Sequence, residues 1–484
     1  MTTKRSIDPL RPPGSLPARQ QGAALLLIML AMLVAATAAI VTRLSTDQLR
    51  NREVTAGAHY LSAARSALLA YATIRPDLPG GGPELLPCPD LDDSGGLAEG
   101  ESHEASCGAA GQTVVGRVPW RTLGIEPPRD GSGACLWYVV SGSWKAAGAA
   151  TTGMVNPDNN GLLELWGVES AAVVAGRTPA ERPVAAILAP GRPLPGQNRS
   201  AAGNRQCSAD FNAANFLDTD AGTGISNASF PGAADRVGYL AVTAGRSDDH
   251  NDRIALITRA DLETIITRRP DFDQDIRALG LAVAECLADF GRNNSGGASD
   301  LRLPWPAPMR LADYRLDSLY DDVNVGVLSG RVPDTVDDSG SEIGNSIARV
   351  LTDCDPARVP AWSVDMLDRW RNWKDHFFYL VAQDFAPDAS IPSACVDCPT
   401  VNSAGRYAAV VAFAGSRLEA LAQVRDAPPT DADTRDDIGN YLEAANASAF
   451  PYTSGPVDLT ARTPDASFND ILFCIDESLA VSEC

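Results

Sequence analysis

The chain has 484 residues, with 41 glycines, 34 prolines and 10 cysteines, and its 40 basic against 61 acidic residues give a formal net charge of -21. So acidic a composition excludes generic binding to a phosphate backbone, which needs lysine and arginine to neutralise phosphates, and no nucleic acid is expected as a partner. The length suffices for two domains with generous loops beyond the N-terminal segment.

Residues 1–22 form a basic leader, with Lys4, Arg5, Arg11 and Arg19 against Asp8. From Gly22 to Thr42 no side chain ionises. At about 1.5 Å per residue such a stretch covers roughly 30 Å, the thickness of a bilayer's hydrocarbon core. The expectation is a membrane-spanning helix over 23–42. The positive-inside bias would keep the N-terminus cytoplasmic and place the C-terminus in the periplasm or at the cell surface, as in a single-pass protein of the bacterial inner membrane. Residues 43–75 lack proline, hold one glycine, Gly57, and carry Leu49, Tyr60, Leu61, Ala64, Leu68, Tyr71 and Ala72 at helical spacing. One helix is therefore expected to run from about 23 to about 74. A signal peptide removed among the small residues at 35–39 is the alternative.

The leader RQQG (19–22), followed by AALLLIMLAML (23–33) and an unbroken amphipathic half, resembles the type IV prepilins and type II secretion pseudopilins. The resemblance implies that a prepilin peptidase cuts between Gly22 and Ala23. It also implies that the apolar half packs into a filament core among other pilin or pseudopilin subunits, while the amphipathic half carries a globular head. The chain departs from the family at the fifth residue after the cut, usually glutamate and here Leu27. That carboxylate would pair with the amine of a neighbouring subunit, because a lone charge in an apolar core is costly. Its absence resembles tip-type minor pilins, which need no subunit ahead of them.

Beyond the helix, LPCPDLDDSGG (86–96) sets Asp90, Asp92 and Ser94 at alternate positions before Gly95, with Leu97 in the eighth place and Glu101 in the twelfth. This is the oxygen spacing of a calcium loop, and calcium is the cofactor expected at Asp90, Asp92, Ser94 and Glu101. The flanking helices of an EF-hand are missing, because Pro87 and Pro89 stand immediately before it. A solvated acidic turn has the same composition. Asn156, Asp158, Asn160 and Gly161 repeat the alternation without a twelfth-position acid and read as a turn.

Two stretches of the chain pass through the same landmarks in the same order. The first holds SAARSALLAYATIRPD (62–77), LPCPD (86–90), GRVPW (116–120), LWYVVSGSW (136–144), AAILAPGRPL (185–194), NFLD (215–218) and NDRIALITRADL (251–262). The second holds GLAVAECLADFGRN (280–293), LPWP (303–306), GRVPD (330–334), FFYLVAQDF (377–385), AAVVAFAGSRL (408–418), NYLE (440–443) and NDILFCIDESL (469–479). The offsets lie between about 214 and 241 residues, as duplication followed by loop drift would leave. Each copy predicts a helix, a proline-punctuated loop and three short strands: 136–141, 184–189 and 253–258, then 377–382, 407–412 and 471–475. The expected fold is α+β, a long N-terminal membrane-spanning helix followed by two tandem pilin-like heads, each a helix packed on a small antiparallel sheet. The first head covers 43–260, including the amphipathic helix. The second, the internal repeat, covers 261–484.

All 10 cysteines follow the apolar segment, and an even count on the outer side implies disulfides. Connectivity is not readable from spacing; the near neighbours Cys88 with Cys107, Cys395 with Cys398, and Cys474 with Cys484 are the preferred pairs. For Cys395 and Cys398, a redox motif would need a helix N-terminus and a zinc site two further ligands, so the loop-like flanks favour a structural bond. The four histidines, His59, His103, His250 and His376, read as packing or solvated positions. With no G-x-S-x-G elbow, phosphate loop or HExxH, no catalysis is expected. The expected function is structural, a minor pilin-like or pseudopilin-like subunit of a type IV pilus or type II secretion pseudopilus, at its tip. A membrane-anchored adhesin with an aromatic patch around Trp305, Trp362, Trp370 or Trp373 is the alternative of another class, and a secreted metal-dependent enzyme a further one.

Overall fold

The computed structural model describes residues 20–75, 85–92, 97–109, 111–145, 156, 158–199, 205–232, 237–242, 249–293, 301–323, 326–336, 348–389, 395–425 and 434–484. The chain divides into two compact units, Met1–Gly57 and Ala58–Cys484.

In the first unit the described chain is the N-terminal part of α1 (Gln20–Ile74). Leu25, Leu26, Leu27, Ile28, Met29, Leu30, Met32, Leu33 and Val34 are each more than half exposed. Successive helical residues point about 100° apart, so this run clothes every face of the helix. The membrane-spanning assignment is corrected here, because among the described residues no helix is long and apolar enough to cross a membrane. The single-pass inner-membrane localisation falls with it. Gly22 and Ala23 lie in the first turn of α1, but their side chains, like the leader over 1–19, fall outside the described residues.

In the second unit the remaining turns of α1 bury Leu61, Ala64, Leu68, Leu69 and Ala72, a stripe at helical spacing. Arg65 fixes this stretch, donating from Nε to Leu256 O at 2.8 Å and pairing with Asp261 Oδ1 at 2.6 Å. The first half continues with β1 (Gly111–Arg117), β2 (Trp137–Gly142), β3 (Leu163–Gly167), β4 (Ala172–Ala175), β5 (Ala185–Ala189), β6 (Gly238–Val242) and β7 (Arg253–Ile257). An antiparallel sheet of order β1-β2-β5-β7 has β2 and β5 buried along their whole length, as central strands covered on both faces are. A side sheet of order β4-β3-β6 includes the parallel pair β3 and β6.

The second half opens with α2 (Arg259–Thr267), capped by reciprocal bonds between Thr258 and Asp261, and α3 (Phe272–Asn293). Asp273 and Asp275 in the first turn of α3 and Arg292 in its last complement the helix dipole. Strands β8 (Ser329–Arg331), β9 (Thr335–Val336) and β10 (Ala348–Arg349) precede α4 (Val364–Trp373). Then come β11 (Phe377–Val381), β12 (Thr400–Val401), β13 (Tyr407–Phe413), α5 (Ala444–Ser448), β14 (Asp458–Leu459), β15 (Ile471–Asp476) and β16 (Val481–Glu483). The main sheet runs β16-β15-β13-β11-β8, and α3 lies on it at Gly280, where a Cβ would come 2.0 Å from the ring of Phe473.

The six strands expected from sequence each match an observed strand to within one residue at either end. The expectation of two separate heads needs revision. Strands are distributed over several sheets, and Ala58–Cys484 is one compact unit. One continuous core joins Leu136, Tyr138 and Ile187 of the first half with Leu287, Phe378, Val411 and Phe473 of the second.

The same buried contacts nevertheless recur in both halves. Arg117 ends β1 opposite Trp137, and Arg331 ends β8 opposite Phe378. Arg117 gives its guanidinium to Ser208 O and Asp210 O and lies against Trp137, Phe211 and Phe216. Arg331 gives its own to Met309 O, Asp375 O and Arg435 O and lies against Tyr314, Phe378 and Tyr441. The preceding glycines allow the chain to approach, since a Cβ on Gly116 or Gly330 would stand 2.7 Å from Asp90 O or 2.1 Å from Ala307 O. Arg199 donates to Asn215 O, Gly191 O and Gln197 Oε1, and Arg425 to Asn440 O, Gly415 O and Gln423 Oε1. The recurrent GRVP, NFLD/NYLE and ND sequences thus mark a repeated hydrogen-bonded frame.

Five disulfides close the unit: Cys88–Cys107, Cys135–Cys207, Cys286–Cys354, Cys395–Cys398 and Cys474–Cys484. The three near-neighbour pairs are those preferred from spacing. The other two span 72 and 68 residues. Disulfides in this number belong to an oxidising compartment, periplasmic or extracellular.

Candidate functional site

A dense cluster of buried charge lies where a turn of the first half meets the second. Asn156 shapes the turn by accepting from Asp158 N, and its amide donates to Asn372 O at 2.9 Å and Asp375 Oδ1 at 2.6 Å. Asp158 is fully buried; its Oδ2 faces His376 Nε2 at 2.9 Å and Arg425 Nη1 at 3.3 Å, and its Oδ1 faces Arg417 Nε at 3.4 Å. Arg435 links Asp158 O at 2.8 Å to Asp375 Oδ2 at 3.3 Å. Burial opposes ionisation of Asp158, but Arg425, His376 and Arg417 outweigh it and hold the carboxyl well below the usual carboxylate range. Asp158, Asp375 and His376 are close enough to hold a metal ion. Three arginines already occupy the carboxylates, however, so the cluster reads as an electrostatic staple between the halves.

A second buried group comprises Asp218, His250 and Asp252. Asp218 Oδ2 accepts from Asn251 N at 2.6 Å and Asp252 N at 3.0 Å, and its Oδ1 accepts from Gln197 Nε2 at 2.8 Å. Asp252 Oδ2 accepts from Asp218 N at 2.8 Å and Asn227 Nδ2 at 2.9 Å. Burial raises the Asp252 carboxyl well above its ordinary range, with the charge of Asp218 adding to it, and burial lowers the imidazole of His250. In the second half Glu443, Asn446 and Asp470 make the same bonds: Asp470 Oδ2 accepts from Glu443 N at 3.0 Å and Asn446 Nδ2 at 2.9 Å. Two residues before that Asp470 stands Phe468, where the first half has His250. The carboxyl pair thus recurs in the second half without the histidine, as part of the repeated hydrogen-bonded frame.

The residues of the expected calcium loop are arranged otherwise. Asp90 is fully buried, and its Oδ2 accepts from Gly100 N at 2.8 Å. His103, also buried, stands between Asp90 Oδ1 at 3.9 Å and Asp92 Oδ1 at 3.4 Å. Glu101 Oε2 turns back to accept from Ala98 N at 2.8 Å, and Ser94 lies outside the described residues. Burial pushes Asp90 up from 3.8 to about 6, against the pull of Gly100 N–H, His103 and Arg117. The described residues able to gather three metal-compatible ligands do not include this loop.

A carboxyl raised on folding contributes full stability below its unfolded value and loses it as pH rises toward its folded value. Asp90→Asn removes that loss. The variant is expected to gain on the parent by up to about 3 kcal/mol between about pH 4 and pH 7, measured by urea unfolding. A constant difference across this range would refute the assignment of Asp90 as a buried acid. A rise in Tm with added calcium in the parent, absent from the variant, would instead support ion binding at this loop.

The remaining sequence-derived residues are framework or surface. Cys395 and Cys398 are joined, which removes both thiolates as ligands, and Asp384 beside them accepts from Val396 N at 2.7 Å. Trp305, Trp362, Trp370 and Trp373 are all buried and form core, so the aromatic patch expected in the second half is absent from these positions. His59 is exposed, whereas His103, His250 and His376 are buried. Sequence reasoning missed Asp158 and its arginines, and also a cleft of about 400 Å³ on the side sheet, lined by Trp166 and Tyr239. The exposed apolar run of α1, this cleft and a further cleft of about 460 Å³ lined by Leu97, Glu101, Ser102, Glu104, Arg121 and Thr122 are surface features that a fold alone does not require. No protein-family model, curated protein or solved structure matches this chain.

Proposed function

We propose that this chain is a structural subunit of an extracytoplasmic filament of the type IV pilus or type II secretion pseudopilus kind, in a minor and tip-type position. The observation that carries the reading is the apolar run of α1, with nine large side chains from Leu25 to Val34 each more than half exposed. Covering such a side chain contributes about 1.5–3 kcal/mol, and a helix apolar on every face requires cover on every face. A bundle of like helices from neighbouring subunits supplies it. Leu27 puts no carboxylate at the fifth position after Gly22, so nothing there asks for the amine of a subunit ahead. The recurrent frame and five disulfides of Ala58–Cys484 suit a rigid exported head.

N-terminal sequencing of the protein from its native host tests the processing, with Ala23 as the expected first residue. A retained Met1, or a terminus within the alanine-rich stretch at 35–39, would overturn the proposal. The assembly itself is tested with Leu30→Asp in the full chain. Loss of the subunit from sheared filaments is expected, with the thermal unfolding of the disulfide-bonded unit unchanged; undiminished incorporation would count against the reading.

A further inference from the structure

We infer that the cleft on the side sheet is a binding site for a neutral saccharide. The pair β3 and β6 is parallel, and its register sets Glu164 beside Tyr239 and Leu165 beside Leu240. Side chains alternate along a strand, so Glu164, Trp166 and Tyr239 share one face of the sheet. Trp166 and Tyr239 meet edge to face, with centroids 6.1 Å apart and planes at 90°, and Tyr239 is 44% exposed. Glu164 Oε2 accepts from the indole Nε1 at 3.3 Å and so fixes the ring.

The rest of the lining includes three hydroxyl side chains, Thr223, Ser226 and Ser229. Asp220 Oδ2 accepts from Thr223 N at 2.7 Å and from the Thr223 hydroxyl, which forms a tight turn completed by Gly224 at φ 73°. Ser226 Oγ accepts from Thr219 Oγ1 at 2.9 Å and from Ala228 N at 3.3 Å, so its own proton is the donor left to offer. Thr223, Ser226, Ser229 and Pro231 thus line one cleft with Trp166 and Tyr239, of about 400 Å³, within the size range of small-ligand sites.

Two rings at right angles with a hydroxyl rim match the chemistry of a pyranose, whose C–H face packs on one ring while its hydroxyls exchange hydrogen bonds around the edge. The chain's net charge of -21 disfavours anionic glycans and selects neutral ones. An extended proline-rich peptide would ask for a longer row of parallel aromatic slots. The repeat supplies an internal control. The parallel pair β12 and β14, whose Leu459 and Thr460 stand where the first half has Leu240 and Ala241, holds only Thr400 and Val401 against Asp458 and Leu459. It carries no aromatic residue, so the fold is built in the second half without the ring pair.

The test uses the full disulfide-bonded chain in a detergent without a sugar headgroup. It is applied to a printed array of neutral oligosaccharides that includes cellotriose, maltotriose, chitotriose and lactose, and the best ligand is then titrated by calorimetry. Binding is expected, with at least a tenfold loss of affinity in both Trp166→Ala and Tyr239→Ala. Tyr239→Ala, at an exposed position, is expected to keep the parent's Tm, so a loss there is not a loss of folding. No binding to any neutral glycan, or binding that Tyr239→Ala leaves intact, would overturn the inference. So would binding of a proline decapeptide to the cleft in place of every saccharide.

Discussion

Replacing Asp158 by alanine is expected to destabilise the protein by about 3–5 kcal/mol, among the largest single-residue effects available in it. The carboxylate faces two fully or largely buried guanidiniums, those of Arg425 and Arg417, and the buried imidazole of His376, while Arg435 donates to the backbone carbonyl of the same residue. Removing it takes from the buried Arg425 its ion-pair partner and leaves Arg417 only Glu263 at 3.9 Å, and stranding a buried cation costs more than the net worth of the intact pair. Asp158→Asn keeps the volume and loses the charge, and is expected to fall between the two. In the double variant Asp158→Ala/Arg425→Met the loss is expected to be smaller than the sum of the single losses by at least about 1.5 kcal/mol, because one stranded charge has been removed with its partner. The pH dependence follows from the same environment. The folded carboxyl lies below its ordinary 3.8, so its contribution is fully present above that value and disappears as pH falls through the folded value. The gap between parent and Asp158→Ala should therefore be constant near neutrality and close only under acid conditions. Urea unfolding that moves by less than about 1 kcal/mol in Asp158→Ala would show that the halves are held together without this network.

The second large effect is expected from the disulfide between Cys286 and Cys354. It ties the buried face of α3 to the turn that follows β10, across a sequence separation of 68. Chain entropy assigns about 4 kcal/mol to closing a loop of this size in the unfolded chain. The Cys395–Cys398 bond, with a separation of 3, receives less than half of that on the same scale. Unfolding of Cys286→Ala/Cys354→Ala should therefore show roughly twice the loss of Cys395→Ala/Cys398→Ala. Equal losses would mean that local packing of the sulfurs, and not the loop they close, sets their value.

Much of the frame was legible in the sequence because its signals are local or repeated. The runs WYVV, AAILA, FFYLV, AAVVAF and ILFC are apolar and bounded by turn residues, and each became a central or near-central strand. The recurrence of GRVP reflects one steric and one electrostatic need, a glycine against a neighbouring carbonyl and a buried guanidinium satisfied by carbonyls. The side sheet was illegible because its strands are short and include a parallel pair joined by long connections. Asp158 read as a turn residue because its partner Arg425 lies 267 residues away. His103 and His250 stand among acidic turn residues and looked solvated, yet the folded chain closes over both.

The sequence by itself determined the α+β class, the repeat, the strand positions and the oxidising compartment, because hydrophobic periodicity, recurrent landmarks and cysteine number need no knowledge of who meets whom. Only the tertiary structure decided that the two copies share one core, that Asp90 is buried and accepts from Gly100 N, and that Trp166 and Tyr239 frame a cleft. Each of these depends on pairing between distant segments. The free energy of a buried charge or ring is set by the neighbours that pairing brings, which no local pattern of residues encodes.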